Sequence, residues 1–420
     1  MKALTKISIG FLALAAVALW FTSCSCEDVA SGTNQGKMSS LTLTINTGKS
    51  MGSRATDWTT TDPGADKVNT ENKINRVAIG IFSNTGNVKT IVELTPGTTG
   101  TNSLTQADAN NATAKIVTSS LVNNDEVLVA INAPTGTFTG CQNKTAFMGK
   151  TETAAEALAN STDAQVANNI PMFGSATLSG DGSSFNASVS VIHMIAKVSL
   201  TSLKVDFKAG SAYADAEFTP KAVFLINVPN SFQFDNTTDT NGDLKAWLSA
   251  GYEHGWGTFA TNYDANTENS SASATFTGST FAKYLTTTEL TGKTLKGVAG
   301  GSDDTYDKQV YFYTMPNGKA DNNATKLVIA GLFKATGVSE KVVYYPLFLN
   351  ATVNSTGTGY DPAVSGSVAK KVYPNKNYNC KVVIRNIGAD SPNTNLDPQT
   401  ASITITVKDF EPADQTTEFN

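Results

Sequence analysis

Two stretches near opposite ends of the chain carry one pattern. Between Thr400 and Phe410 apolar residues alternate with hydroxyls at a strict period of two, Ser402-Ile403-Thr404-Ile405-Thr406-Val407. Side chains of an extended chain point alternately to opposite faces, so this spacing predicts a half-buried β-strand. Leu41-Thr42-Leu43-Thr44-Ile45-Asn46-Thr47 repeats it near the other end. Each stretch offers three apolar teeth, Leu41, Leu43 and Ile45 on one and Ile403, Ile405 and Val407 on the other. Two strands with interchangeable teeth fit the same groove in a sheet, which is the pattern expected of a subunit that polymerises by exchanging strands. The alternation by itself suits two ordinary sandwich strands equally well.

Between the twins the chain reads as a succession of short strands with turn-rich spacers. They run Val77–Phe82, Ile91–Leu94, Lys115–Val117 and Val127–Ile131, then a long strand-rich segment, Phe185–Phe207, then Ala222–Val228 and Phe276–Tyr284. Val310–Tyr313, Leu327–Phe333, Val342–Leu349 and Tyr378–Ile387 follow. Such spacing argues sandwiches rather than βαβ units. One Ala-rich patch, Thr151–Ala159, predicts a short helix. The chain is long enough for more than one core, and the polar Gly182-Ser183-Ser184 marks the expected boundary between residues 55–184 and 185–420.

The first 23 residues carry Lys2 and Lys6, then an apolar run from Ile7 to Trp20. That run is short for a membrane span and reads as a signal peptide. Thr22 and Ser23 before Cys24 resemble a bacterial lipobox, whose cysteine is acylated and anchors the chain to a membrane. Cys26 is the alternative anchor, and a plain secretory signal the alternative reading. Residues 24–54 form a polar tether, the first alternating strand and a Gly/Ser-rich loop. Arginine occurs only at Arg54, Arg76 and Arg385. Arg76 and Arg385 fall in strand-like runs, leaving Arg54 on the loop after the first strand. A trypsin-like cut between Arg54 and Ala55 would detach Leu41–Ile45 together with the anchor; a solvated arginine of no consequence is the plainer reading.

A net charge of −5 argues against a nucleic-acid partner, which needs a concentrated basic face. With two histidines and four cysteines there is little material for a zinc site or a nucleophile–base pair, and no catalytic residue, metal ligand or cofactor is assigned. Asp239-Thr240-Asn241-Gly242-Asp243 has alternating oxygen ligands, but its glycine is misplaced for a calcium loop and it reads as a turn. His193, in Val191-Ile192-His193-Met194-Ile195, reads as a core or interface residue. Tyr252-Glu253-His254-Gly255-Trp256 reads as a loop able to form a small contact surface. Cys141 and Cys380 either pair or remain buried thiols.

Taken in order along the chain, these features resemble the fimbrillins, the subunits of type V surface pili in Bacteroidales. The resemblance rests on Cys24, on the first strand followed by Arg54, and on Asn75-Arg76-Val77-Ala78-Ile79. It continues through Val127–Ala133, Pro171-Met172-Phe173-Gly174, Ile195–Leu200 and Tyr373–Tyr378 to the terminal strand. Phe410 stands where the family often carries tryptophan. The family implies an all-β chain of two transthyretin-like β-sandwich domains in tandem, with a donor strand at 400–410. It further implies a lipoprotein precursor anchored in the outer membrane and an arginine-specific protease that cuts after Arg54. The strand carrying Ile403, Ile405, Val407 and Phe410 would then fill the groove vacated by Leu41, Leu43 and Ile45 of another subunit. The expected partners are other copies and related fimbrial subunits, and the expected location is a cell-surface fimbria. A tip or accessory subunit, and a monomeric surface lipoprotein binding glycan or host protein, are the alternatives.

Overall fold

A computed structural model describes residues 38–47, 68–108, 111–153, 156–157, 167–248, 251–256, 293–298, 300–306, 310–356, 359–397 and 401–409. The signal peptide, Cys24, Cys26, Arg54, Ala55, Phe276–Tyr284 and Phe410 lie outside the described residues. In chain order the first half contains β1 (Met38–Asn46), α1 (Val68–Glu71), β2 (Val77–Phe82), β3 (Val88–Leu94), β4 (Ser103–Gln106) and β5 (Asn111–Ser119). It continues with β6 (Glu126–Ile131), α2 (Lys144–Met148), β7 (Thr151–Thr153), β8 (Met172–Thr177), β9 (Ser179–Asp181), β10 (Ser184–Ser190) and β11 (Ile192–His193). The second half opens with β12 (Ala196–Val205), β13 (Glu217–Pro229), β14 (Ser231–Gln233), β15 (Tyr252–Trp256), β16 (Leu295–Lys296) and β17 (Thr305–Tyr306). It ends with β18 (Val310–Thr314), β19 (Lys326–Ala335), β20 (Val338–Phe348), β21 (Thr352–Val353), β22 (Tyr360–Asp361), β23 (Lys376–Ile384) and β24 (Ala401–Asp409).

These strands build two sandwiches in tandem, the expected all-β architecture with a short helix in the first. In the first, a sheet of order β4-β5-β1-β10-β9 packs on one of order β11-β8-β6-β2-β3. Its interior is aliphatic, with Leu41, Leu43 and Ile45 meeting Ile79, Ile81, Val127 and Val129. In the second, one sheet runs β17-β12-β23-β24 with β18 also on β12, and the other runs β15-β13-β19-β20 with β16 also on β13. Gly174 marks a close crossing in the first sandwich. A Cβ there would lie 2.4 Å from the Ser190 carbonyl oxygen, so only glycine lets β8 pass beneath the end of β10.

The strand-rich segment Phe185–Phe207 is three strands. Its period of two slips at Val191-Ile192 and again at Met194-Ile195-Ala196, and there the chain changes sheet. Three sequence expectations are corrected. The division expected at 184/185 falls inside β10, which pairs with β9; β10 and β11 both pair within the first sandwich. Thr151–Ala159 opens as strand, with helical residues at 156–157. Thr153 is the boundary, because its hydroxyl accepts from the Glu156 N–H while the Glu156 carboxylate accepts from the Thr153 N–H, a capping box. Tyr252–Trp256 is the strand β15 paired with β13, not a loop.

The two sandwiches meet through a buried cluster that joins the outer face of β2 and β6 to the core of the second sandwich. Phe147 on α2 stacks on Phe138 at 4.0 Å, and Phe138 meets Phe234 of the second half edge-on at 5.5 Å. Beside these rings β7 pairs with β14, a two-stranded sheet formed by one segment from each half.

Candidate functional site

The first of the twin strands lies in the middle of its sheet. β1 pairs antiparallel with β5, from Met38 opposite Ser119 to Asn46 opposite Asn111. On its other side it pairs parallel with β10, from Ser40 opposite Ser184 to Asn46 opposite Ser190. Leu41, Leu43 and Ile45 are fully buried, while Thr42 and Thr44 face outward. At the strand's end the Val191 N–H donates to the Asn46 carbonyl at 3.0 Å. Without β1, the facing edges of β5 and β10 would carry a row of unpaired N–H and C=O groups above an exposed aliphatic floor.

The second twin has a different setting. Among the described residues β24 lies at the edge of its sheet and pairs with β23 alone, antiparallel from Lys376 opposite Asp409 to Ile384 opposite Ala401. Ile403 and Ile405 are buried, with Thr404 and Thr406 exposed. Ser402-Ile403-Thr404-Ile405-Thr406-Val407 therefore matches Ser40-Leu41-Thr42-Leu43-Thr44-Ile45 residue by residue, in burial as in sequence, over the side chains described. The side chains of Ser402 and Val407 lie outside them.

An internal correspondence separates β24 from the sandwich that carries it. In the first half the opening strand β1 runs parallel to the late strand β10. In the second the opening strand β12 runs parallel to β23 in the same manner. By that correspondence β24 is an addition beyond the strands the two halves share, lying on the outer edge of the sheet with Ile403 and Ile405 in the core.

Sequence reasoning missed a polar joint behind β1. Glu71, in the one-turn α1 that precedes β2, reaches the second half. Its Oε1 accepts from Lys197 Nζ at 2.9 Å and from the Tyr313 hydroxyl at 2.5 Å. Its carbonyl oxygen lies 3.2 Å from His193 Nε2, which donates to it. Burial lowers the His193 pKa to about 4, so the imidazole is neutral at pH 7. All four side chains are buried. His193 thus takes the interface position expected of it. The one sequence signal was Lys197, a charge inside the apolar run Ile195–Leu200; Glu71 carried none. Chain beyond residue 68 is therefore fixed to the second sandwich without help from β1.

The described arginines differ from each other. Arg76 immediately precedes β2 and is tied by Nε to the Ala133 carbonyl at 2.6 Å. Arg385, expected within a strand, stands one residue beyond β23; it is exposed, with Nε 3.5 Å from Asp206 Oδ2. Its accessibility removes the argument that Arg54 is the sole arginine open to a protease. Cys141 and Cys380 are both buried free thiols, one in each half. Asp239 Oδ1 accepts from the Asn241 and Asp243 N–H groups at 2.8 and 3.0 Å, the geometry of an Asx turn. Among the described residues no three His, Cys, Asp or Glu side chains converge as metal ligands.

No protein-family model matches the sequence, and no curated protein matches it. The fold has clear relatives among solved structures. A proposed cell adhesion protein from Parabacteroides distasonis superposes with a TM-score of 0.57 at 14% identity, over 90% of this chain and 98% of that one. A proposed cell adhesion protein from Bacteroides eggerthii gives 0.53 at 15% identity, over 90% and 98%. A fimbrilin from Porphyromonas gingivalis gives 0.52 at 14% identity, over 89% and 99%. The chain has the two-sandwich fold of these proteins along nearly its full length.

Proposed function

We propose that this chain is a structural subunit of a cell-surface fimbria that polymerises by strand exchange. It is exported as a lipoprotein precursor acylated at Cys24, held in the outer membrane, and cut between Arg54 and Ala55 by an arginine-specific protease. β1 then leaves with the anchor, and β24 of another subunit enters its place, antiparallel to β5 and parallel to β10. One observation carries the reading: a strand central to the first sandwich is repeated, tooth for tooth, in a strand appended to the edge of the second. Ile403, Ile405 and Val407 would each contribute about 1.5–3 kcal/mol on full burial in the vacated groove, and the ladder hydrogen bonds a smaller net amount each. The contact is head-to-tail and does not close, so it propagates into a fibre.

The test uses precursor lacking residues 1–24, treated with an arginine-specific protease and run unboiled on a denaturing gel. A ladder of oligomers with Ala55 as the new first residue, lost on deletion of residues 400–420, is the expected result. Cleavage at Arg54 with only monomer would remove β24 from its donor role. A new N-terminus at Asn386 would mean that the exposed Arg385 is the working site, and that cutting discards β24 instead of β1.

A further inference from the structure

The sheet of β12 and β23 is buried on both faces. Val198, Leu200, Tyr378 and Cys380 point into the sandwich core, while Lys197, Ser199 and Asn377 cover the opposite face and are equally shut off from solvent. Lys197 and Asn377 stand directly opposite one another on these parallel neighbours. Strand axes in a sheet lie about 4.8 Å apart, within the span of a lysine side chain. The Ser199 hydroxyl donates to Asn377 Oδ1 at 3.2 Å. Among the described residues Asn377 Nδ2 has no acceptor and Glu71 Oε2 no donor, although Glu71 Oε1 lies 2.9 Å from Lys197 Nζ. The Tyr311 ring lies 4.6 Å from the same amine and helps to keep water away. A buried amide nitrogen left without a partner is costly, and here it sits beside a buried amine and a buried carboxylate.

We propose that Lys197 and Asn377 become joined by an intramolecular amide bond, with Glu71 as the proton carrier. Glu71 takes a proton from the Lys197 ammonium, 2.9 Å from its Oε1. The free amine attacks Asn377 Cγ, and the carbonyl electron pair moves to Oδ1, where the Ser199 hydroxyl stabilises it. Glu71 passes its proton to Nδ2. The Cγ–Nδ2 bond breaks as the carbonyl re-forms, and ammonia departs. The new amide nitrogen returns one proton to Glu71. An amine and a primary amide become a secondary amide and ammonia; nothing is oxidised or reduced. The product has neither the orphaned Nδ2 nor the buried lysine charge.

The chemistry does not depend on the fibre reading, but its use does. β12 opens the second sandwich and β23 is the last strand before β24. Tension between a filled groove in the first half and a donor strand leaving through β24 would then cross one covalent bond, bypassing the remaining strands of the second sandwich.

Proteolytic peptides of the full chain, analysed by tandem mass spectrometry, decide the matter. The expected result is a branched peptide joining the Lys197 segment to the Asn377 segment, with the mass of the two less one ammonia. It should account for most of the Lys197-containing material and vanish in Asn377→Ala. In the near-isosteric Glu71→Gln it should also vanish while the chain keeps its circular dichroism; persistence there would overturn the role of Glu71. Recovery of the two peptides separately at their unmodified masses would overturn the bond. So would ammonia loss confined to the Asn377 peptide, which is cyclisation of that asparagine on its own backbone. None of these readouts depends on whether the protein polymerises.

Discussion

Glu152 is a carboxylic acid buried with no hydrogen bond to either oxygen among the described residues, on β7 opposite Phe232 of β14. Burial, reinforced by Glu156 and opposed by Arg76, pushes its pKa from 4.5 up to about 9. Between those values the folded protein keeps this proton and the unfolded chain has released it, so stability falls as pH rises across that window. Glu152→Gln removes the proton linkage while keeping the shape. Urea denaturation should show the variant more stable than the parent by roughly 2–4 kcal/mol near pH 8, with the gap closing towards about pH 4. A difference independent of pH would mean that the carboxyl ionises in the fold. None of this was legible in the sequence, where Glu152 reads as a helix former in an Ala-rich patch. Its burial is decided by β14, some eighty residues away in the chain, which no local pattern reports.

At the scale of elements, the alternation that marks β1 and β24 was fully legible, because a period of two with β-branched residues is local information. Their positions were not. Nothing in Leu41–Ile45 says that it sits between two neighbours, and nothing in Ile403–Val407 says that it has one. Those facts come from register across the chain, and they are what distinguish a groove from its plug. If the two strands are interchangeable, grafting the teeth of β1 onto β24 should keep polymerisation intact. The triple variant Ile403→Leu, Ile405→Leu, Val407→Ile is therefore expected to give the parental ladder. Ile405→Asp places a charge where Leu43 is fully buried, a cost of several kcal/mol that the ladder hydrogen bonds do not offset. That variant should remain monomeric after cleavage. Because β24 is an edge strand, the monomer should keep a cooperative thermal transition, at a lower midpoint because Ile405 is also buried in its own sandwich. If the Asp variant polymerises, β24 is not the plug; if the graft fails where the parent succeeds, the groove reads more than the three teeth.

For the molecule as a whole, the argument turns on the joint between the sandwiches, because in a head-to-tail fibre that joint lies in series with every strand-exchange contact. Tandem domains that meet through a small polar surface behave independently. Here the joint is of another kind. The aromatic series Phe82, Phe147, Phe138, Phe234 and Phe232 crosses it with centroid distances from 4.0 to 5.7 Å, and all five belong to one buried cluster shared by both halves. Glu71 adds buried contacts to Lys197, Tyr313 and His193, and β7 adds a strand pairing to β14. Neither half can unfold without exposing part of the other's core, so the protein should melt in one transition, with calorimetric and van't Hoff enthalpies equal. Phe234→Ala removes the ring that bridges Phe138 to Phe232, at about 3–5 kcal/mol for a buried phenylalanine. The expected consequence is a lower midpoint together with a calorimetric enthalpy exceeding the van't Hoff value, as the halves begin to melt separately. Two resolved transitions in the parent would show that the shared core does not couple the sandwiches. A single parental transition that loses its coupling in Phe234→Ala would identify the aromatic bridge as what makes the two sandwiches respond to load as one body.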